Sequence, residues 1–159
     1  WWCTERSLRQ STPYQVAAVK AGWIESPTVF DLCCGIGGDT LAITGCDGPA
    51  EKSITAIDRD PMMVAMAKEN LRLNGRTGRS PGKSPGTSAV SVFCDDVGRR
   101  SIPDDAWIHI DPDRRDGVAR KVRPEDYSPP WEWVRKLASR RVPDAYGRRR
   151  SANHRKRGR

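Results

Sequence analysis

Acids and glycines punctuate apolar runs at four places in this chain: "VFDLCCGIGGD" at 29–39, "SITAIDRD" at 53–60, "SVFCDDV" at 91–97 and "WIHIDPDRR" at 107–115. Carboxylates at the ends of such runs accept hydrogen bonds from hydroxyls and amines and attract cations. Glycines let a ligand come close to the main chain, because they lack the Cβ that would keep it away. Asp31, Gly35, Gly37, Asp58, Asp95, Asp96, Asp111 and Pro112 are therefore the residues whose types and spacing can do chemistry.

Their order narrows the ligand. Asp58 stands 23 positions after Gly35, close to the ~20-residue spacing at which an acid meets ribose hydroxyls. A dinucleotide fingerprint calls for a small residue at position 40, where Thr40 stands, and a pyrophosphate is repelled by the Asp31 and Asp39 carboxylates flanking the loop. A nicotinamide dinucleotide and an oxidoreductase are thus disfavoured. An adenosine carrying a sulfonium and an amino-acid tail meets the same conditions. Its ribose diol suits Asp58, its amino group an acid near the glycine loop, and its adenine amine Asp95 or Asp96, with Asp95 preferred because it directly follows Cys94 on the strand.

Elements must hold these residues in place. Val29, Phe30, Leu32 and Cys33 predict a short buried strand, bounded by Pro27 and the glycines, with "GDTLAI" opening a helix behind it. Ile54 to Asp58 predicts a second strand, and Asp60 and Pro61 start a helix with Met63, Met66, Ala67 and Leu71 on its core face and Gly75 at its end. "AVSVFCDDV" and "WIHID" supply the third and fourth strands. Ahead of them, Ser11 or Thr12 is expected to cap a leading helix with Pro13 in its first turn, packing Val16, Val19 and Trp23 on the domain's edge. "SPPWEWVRKLA" reads as a further helix with Ser128 as cap; its S-P-P-W follows polar residues and is taken as a helix start with Trp131 packing. Strands alternating with helices give an α/β, Rossmann-like, doubly wound parallel sheet of about four strands in the order 3-2-1-4.

These motifs, in this order, resemble those of class I S-adenosylmethionine-dependent methyltransferases. "FDLCCGIGGD", "AIDRDP", "CDDV" and "IHIDPDRR" look most like the trimethylguanosine-synthase type and the bacterial THUMP-like RNA methyltransferases, and "LRQSTPYQVA" is similar to a segment preceding the core in the latter. The resemblance, over roughly residues 8 to 120, implies S-adenosyl-L-methionine as cofactor. It places Asp31, Gly35 and Gly37 around the methionine part, Asp58 on the ribose and Asp95 or Asp96 near the adenine. It implies methyl transfer to a nitrogen of an RNA base, with Asp111 and Pro112 at the mouth where the methyl group emerges. Related amine methyltransferases carry Pro and an aromatic where this chain has Asp113 and Arg114, so Arg114 or Arg115 is left to stack on or bind the RNA.

Bulk composition sets the remaining bounds. The chain has 159 residues, which suits one domain. It divides into a helical lead-in (1–27), a partial cofactor domain (28–138) and a basic tail (139–159). That tail holds nine of the 28 Lys and Arg and one of the 20 acids, leaving 19 of each in the remainder, so the net charge of +8 belongs to the tail. It is read as lacking fixed structure, and as the basis of an alternative function, non-catalytic nucleic-acid binding. Residues 76–88, with a repeated S-P-G, read as a flexible loop. The five cysteines form no C-x-x-C pair and only two histidines accompany them, which argues against a metal or disulfide framework. No signal peptide or apolar run of ~20 residues is seen, giving the expectation of a cytoplasmic protein. The chain opens with Trp1 and turns basic after four strands, which is read as truncation or a frame change after about Ser139.

Overall fold

The computed structural model describes residues 1–45, 52–76, 88–113, 115–116, 119–120 and 122–139. The loop expected at 76–88 falls mostly outside them, as do Cys46, Arg114, the Arg115 side chain and the tail beyond Ser139.

Four parallel strands, β1 (Thr28–Leu32), β2 (Ser53–Asp58), β3 (Ala89–Cys94) and β4 (Trp107–Ile110), form one sheet in the order β3-β2-β1-β4. This is the expected Rossmann-like order. Its registers are continuous: Asp31 stands opposite Ala56 of β2 and opposite His109 of β4, while Asp58 stands opposite Cys94 of β3. The order reverses at β1, and in open α/β sheets the crevice beyond the strands' carboxyl ends at such a point receives ligands.

Helices α1 (Glu5–Gln10) and α2 (Tyr14–Gly22) precede the sheet, α3 (Gly38–Gly45) follows β1, α4 (Pro61–Leu73) follows β2, and α5 (Trp131–Ala138) comes last. Strand alternation splits the core in two. Val29 and Ile54 pack with Ala17, Ala21, Ala42 and Ile43; Leu32 and Ile57 pack with Val97, Ile102, Ala106 and Leu137. Each fully buried Leu or Ile stabilises by about 1.5–3 kcal/mol. Asp60 caps α4 through the Met62 N–H, with Pro61 in the first turn, as expected. A two-residue pair, β5 (Arg115–Asp116) and β6 (Ala119–Arg120), follows β4.

Three local expectations are corrected. The lead-in is two helices, and neither Ser11 nor Thr12 caps the second: Ser11 Oγ donates to Leu8 O, closing α1, while Thr12 Oγ1 donates to Asp39. On α2 the residues that pack are Ala17 and Ala21; Val16, Val19 and Trp23 are exposed. Small side chains let this helix lie close against α3, which the larger ones would prevent. Ser128 does not cap α5, whose N-cap is Pro130 without a side-chain bond, because the Ser128 hydroxyl accepts from Arg59 instead; Trp131 is exposed, and it is Trp133 that packs against the core. Along α4 the fully buried positions are Val64, Ala67, Asn70 and Leu71, with Met63 and Met66 half-buried beside them.

Candidate functional site

A cleft of about 560 Å³ lies at the carboxyl ends of the strands, bounded by the β1–α3 loop, the ends of β2, β3 and β4, and the lead-in. It falls within the usual range for small-ligand sites, roughly 300–1,000 Å³. Eight aspartates line it, against three arginines, Arg6, Arg9 and Arg59. Such a wall favours cationic groups and disfavours a pyrophosphate.

The β1–α3 loop shapes the floor. Cys33 adopts φ 61, uncommon for a residue with a side chain, and Gly35 and Gly37 adopt φ 54 and 82. Cys34 N–H donates to Ile57 O, tying the loop to β2. Gly35 lines the cleft, whereas Gly37 faces away from it: a Cβ there would lie 3.2 Å from the Ala67 Cβ of α4. The glycine placed by resemblance at the methionine part thus lets α4 pack closely against the loop. Burial pushes the Cys33 thiol up to about 12, reinforced by Asp58 and Asp31, and pushes Cys34 up as well, so neither is poised as a nucleophile.

Asp58 closes the wall at β2. One oxygen accepts Gly35 N–H at 2.8 Å and the other Asp60 N–H at 2.9 Å, so the carboxylate is held rigidly at the cleft with lone pairs remaining. Desolvation raises its pKa despite these two bonds. At β3 the pair expected near an adenine divides its work. Asp95 binds Arg100 at 2.7 Å, a hydrogen bond that lowers its pKa, and Asp96 caps the turn at Val97–Arg99 through Gly98 N–H. Both nevertheless line the cleft.

Asp31 is almost wholly buried, 1% exposed, and both oxygens are engaged. Thr40 Oγ1 donates to one, and His109 Nδ1 lies 2.9 Å from the other. Since a carboxylate only accepts, Nδ1 carries the proton. Thr40 thereby explains its own presence in the loop: it satisfies a buried carboxylate that would otherwise be costly. His109 Nε2 faces Lys20 Nζ of α2 at 3.2 Å, and Lys20 pairs with Asp39 Oδ1 at 2.5 Å. Asp39 Oδ2 accepts from Thr12 at 2.7 Å. A polar chain thus runs from Thr40 through Asp31, His109, Lys20 and Asp39 to Thr12. Asp39 Oδ1 is buried and, although ion-paired, has no aligned hydrogen-bond donor.

On the far side Asp111 is exposed at the end of β4, its N–H bonded to Leu32 O, with Pro112 beside it. Asp113 pairs with Ser128 through main-chain bonds in both directions, 2.9 and 3.1 Å, and Arg59 Nη1 donates to Ser128 Oγ at 2.9 Å. The S-P-P turn, read from sequence only as a helix start, therefore lines the cleft beside the D-P-D motif. Arg115 pairs with Arg120 in the β5–β6 ladder, and its side chain and Arg114 lie outside the described residues. Sequence reasoning missed Lys20, Thr12 and His109. For His109 a signal existed: it stands two residues before Asp111, and alternation puts both on one face of the strand.

No family model matches the chain, and no curated protein matches it. Among solved structures it is similar to an S-adenosylmethionine-dependent methyltransferase from Aquifex aeolicus, at 18% identity and a TM-score of 0.45 over 68% of this chain and 57% of that one. It is similar also to one from Clostridium acetobutylicum ATCC 824, at 19% identity and a TM-score of 0.40 over 64% and 38%. A third is the plantazolicin methyltransferase BpumL in complex with SAH, at 16% identity and a TM-score of 0.40 over 66% and 39%. The chain spans between 38% and 57% of these three proteins' lengths. At such identities and scores the functional reading rests on the strand order and the cleft, not on these likenesses.

Proposed function

We propose that the chain binds S-adenosylmethionine and forms the cofactor-holding sheet of a methyltransferase. The observation that carries this reading is the placing of acids along one cleft at the sheet's switch point, with Asp39 Oδ1 lacking an aligned donor at the glycine loop and Asp58 fixed at the end of β2. Asp58 would accept from the ribose hydroxyls, Asp39 from the amino group, and Asp95 or Asp96 from the adenine amine. The bound cofactor supplies an electrophilic methyl group on a sulfonium. The protein's own work is orientation: transfer is an in-line displacement, so holding the acceptor's lone pair on line is the main contribution. Asp111, exposed at the mouth beside the rigid Pro112, is suited to accept an N–H of the incoming nitrogen and aim it.

For the acceptor we infer an RNA base nitrogen. The resemblance of "IHIDPDRR" supports it, as do the nine Lys and Arg of residues 139–159, which suit a phosphate backbone. Arg59 and Arg6 at the cleft supply further positive charge. Calorimetric titration with S-adenosylmethionine and with NADH separates the reading from a nicotinamide enzyme. Micromolar binding of the former with none of the latter is expected; the reverse would overturn it.

A further inference from the structure

We propose that His109 is a positioning residue for the amino group of the bound ligand, and that its proton sets how much negative charge Asp39 Oδ1 presents to that group. The inference rests on the cofactor reading above. It starts from the crowding around one oxygen: Lys20 Nζ lies 2.5 Å and His109 Nε2 3.9 Å from the same Asp39 Oδ1. That oxygen is buried, belongs to a residue lining the cleft and has no aligned donor.

His109 is fixed rather than free. Asp31 from β1 takes its Nδ1 proton, and Asp31 is held in turn by Thr40. In the neutral ring Nε2 carries the lone pair and accepts from Lys20 of α2. The groups facing the ring are therefore Asp31 from β1, Asp39 from α3 and Lys20 from α2, with Asp111 two residues along on the same face of β4. With a neutral ring, Asp31, Asp39 and Lys20 sum to one negative charge. With a charged ring the sum is zero, and Nε2 loses the lone pair that accepts from Lys20. Lys20 then has Asp39 as its remaining strong acceptor and competes harder with a ligand's ammonium. Burial opposes the charged ring, but the hydrogen bond and the attraction from Asp31, with Asp39 helping, outweigh it and raise its pKa above 6.5, while Lys20 works against the shift.

The test is calorimetric titration of the full chain with S-adenosylhomocysteine between pH 6 and 8, whose amino group stays charged throughout. A unit charge roughly 10 Å from the ligand's ammonium, at an effective dielectric near 20, is worth about tenfold in affinity. We expect affinity to rise by about that factor with pH, following the His109 ring resonances in proton NMR. His109→Gln, which keeps a donor toward Asp31 but cannot titrate, should remove the part of this slope that follows the ring, whatever its absolute affinity. Lys20→Met removes the cation that lowers the ring's pKa and should move the midpoint to higher pH. A contribution from Asp58, whose pKa is also raised, would persist in His109→Gln and is separated by it. Binding with the same slope in wild type and His109→Gln, or a ring that titrates with no change in affinity, overturns the inference alone. A folded wild-type chain that binds no ligand at any pH overturns the cofactor reading and this inference with it.

Discussion

Asp39 and Asp58 differ from Asp31, Asp95 and Asp96 in their surroundings. Asp31 is satisfied by Thr40 and His109, Asp95 by Arg100, and Asp96 by its cap, whereas Asp39 Oδ1 lacks an aligned donor and Asp58 is desolvated at the cleft wall. A raised acid pKa means that Asp58's contribution to stability is present below pH 3.8 and lost as pH rises through its folded value. The glycines separate by role too. Gly37→Ala places a Cβ at a φ of 82 and 3.2 Å from Ala67, and is expected to destabilise by about 1–3 kcal/mol, read as a lower denaturation midpoint. Gly22→Ala meets nothing within 4 Å at an ordinary φ and should be neutral or slightly stabilising. An equal loss in both variants would contradict the packing role assigned to Gly37. The carboxylates themselves were legible in the sequence, because they lie within or just after apolar runs and beside glycines. Their partners were not: Lys20 and His109 lie 89 residues apart, and only the sheet and α2 bring them together.

At the scale of elements, period and punctuation located the four strands and the helices behind them, and Asp60 with Pro61 marked the start of α4. They failed on α2, where hydrophobicity pointed to Val16, Val19 and Trp23 and the packed face is Ala17 and Ala21, 2% and 1% exposed. Close approach to α3 selects size over hydrophobicity, and a pattern of apolar residues does not reveal size selection. Ala21→Leu should therefore cost about 1–3 kcal/mol by overpacking, while Val19→Ser should change stability by less than about 0.5 kcal/mol. Urea melts of the two variants decide this, and a larger loss for Val19→Ser would restore the face expected from sequence. The S-P-P turn was misjudged for a similar reason. Its neighbours in sequence are polar, but its neighbour in space is Asp113, and that pairing brings it to the cleft.

For the whole molecule, strand alternation was enough to give the order β3-β2-β1-β4, because a short crossover between parallel neighbours leaves few topologies. Charge, by contrast, is segregated: a balanced body and a basic tail. If the tail recruits RNA, affinity for a single-stranded RNA should fall steeply with salt, and deleting residues 140–159 should flatten that slope while leaving S-adenosylmethionine binding intact. Retention of the full slope after deletion would place RNA contacts on the body. The central claim is narrower, and calorimetric titration of the full chain with S-adenosylmethionine at pH 8, beside Asp58→Ala, tests it most directly. Micromolar binding weakened at least tenfold in a folded Asp58→Ala is the predicted result, from loss of charge-assisted hydrogen bonds to the ribose. No binding to the folded wild-type chain, or equal binding to both, would contradict it.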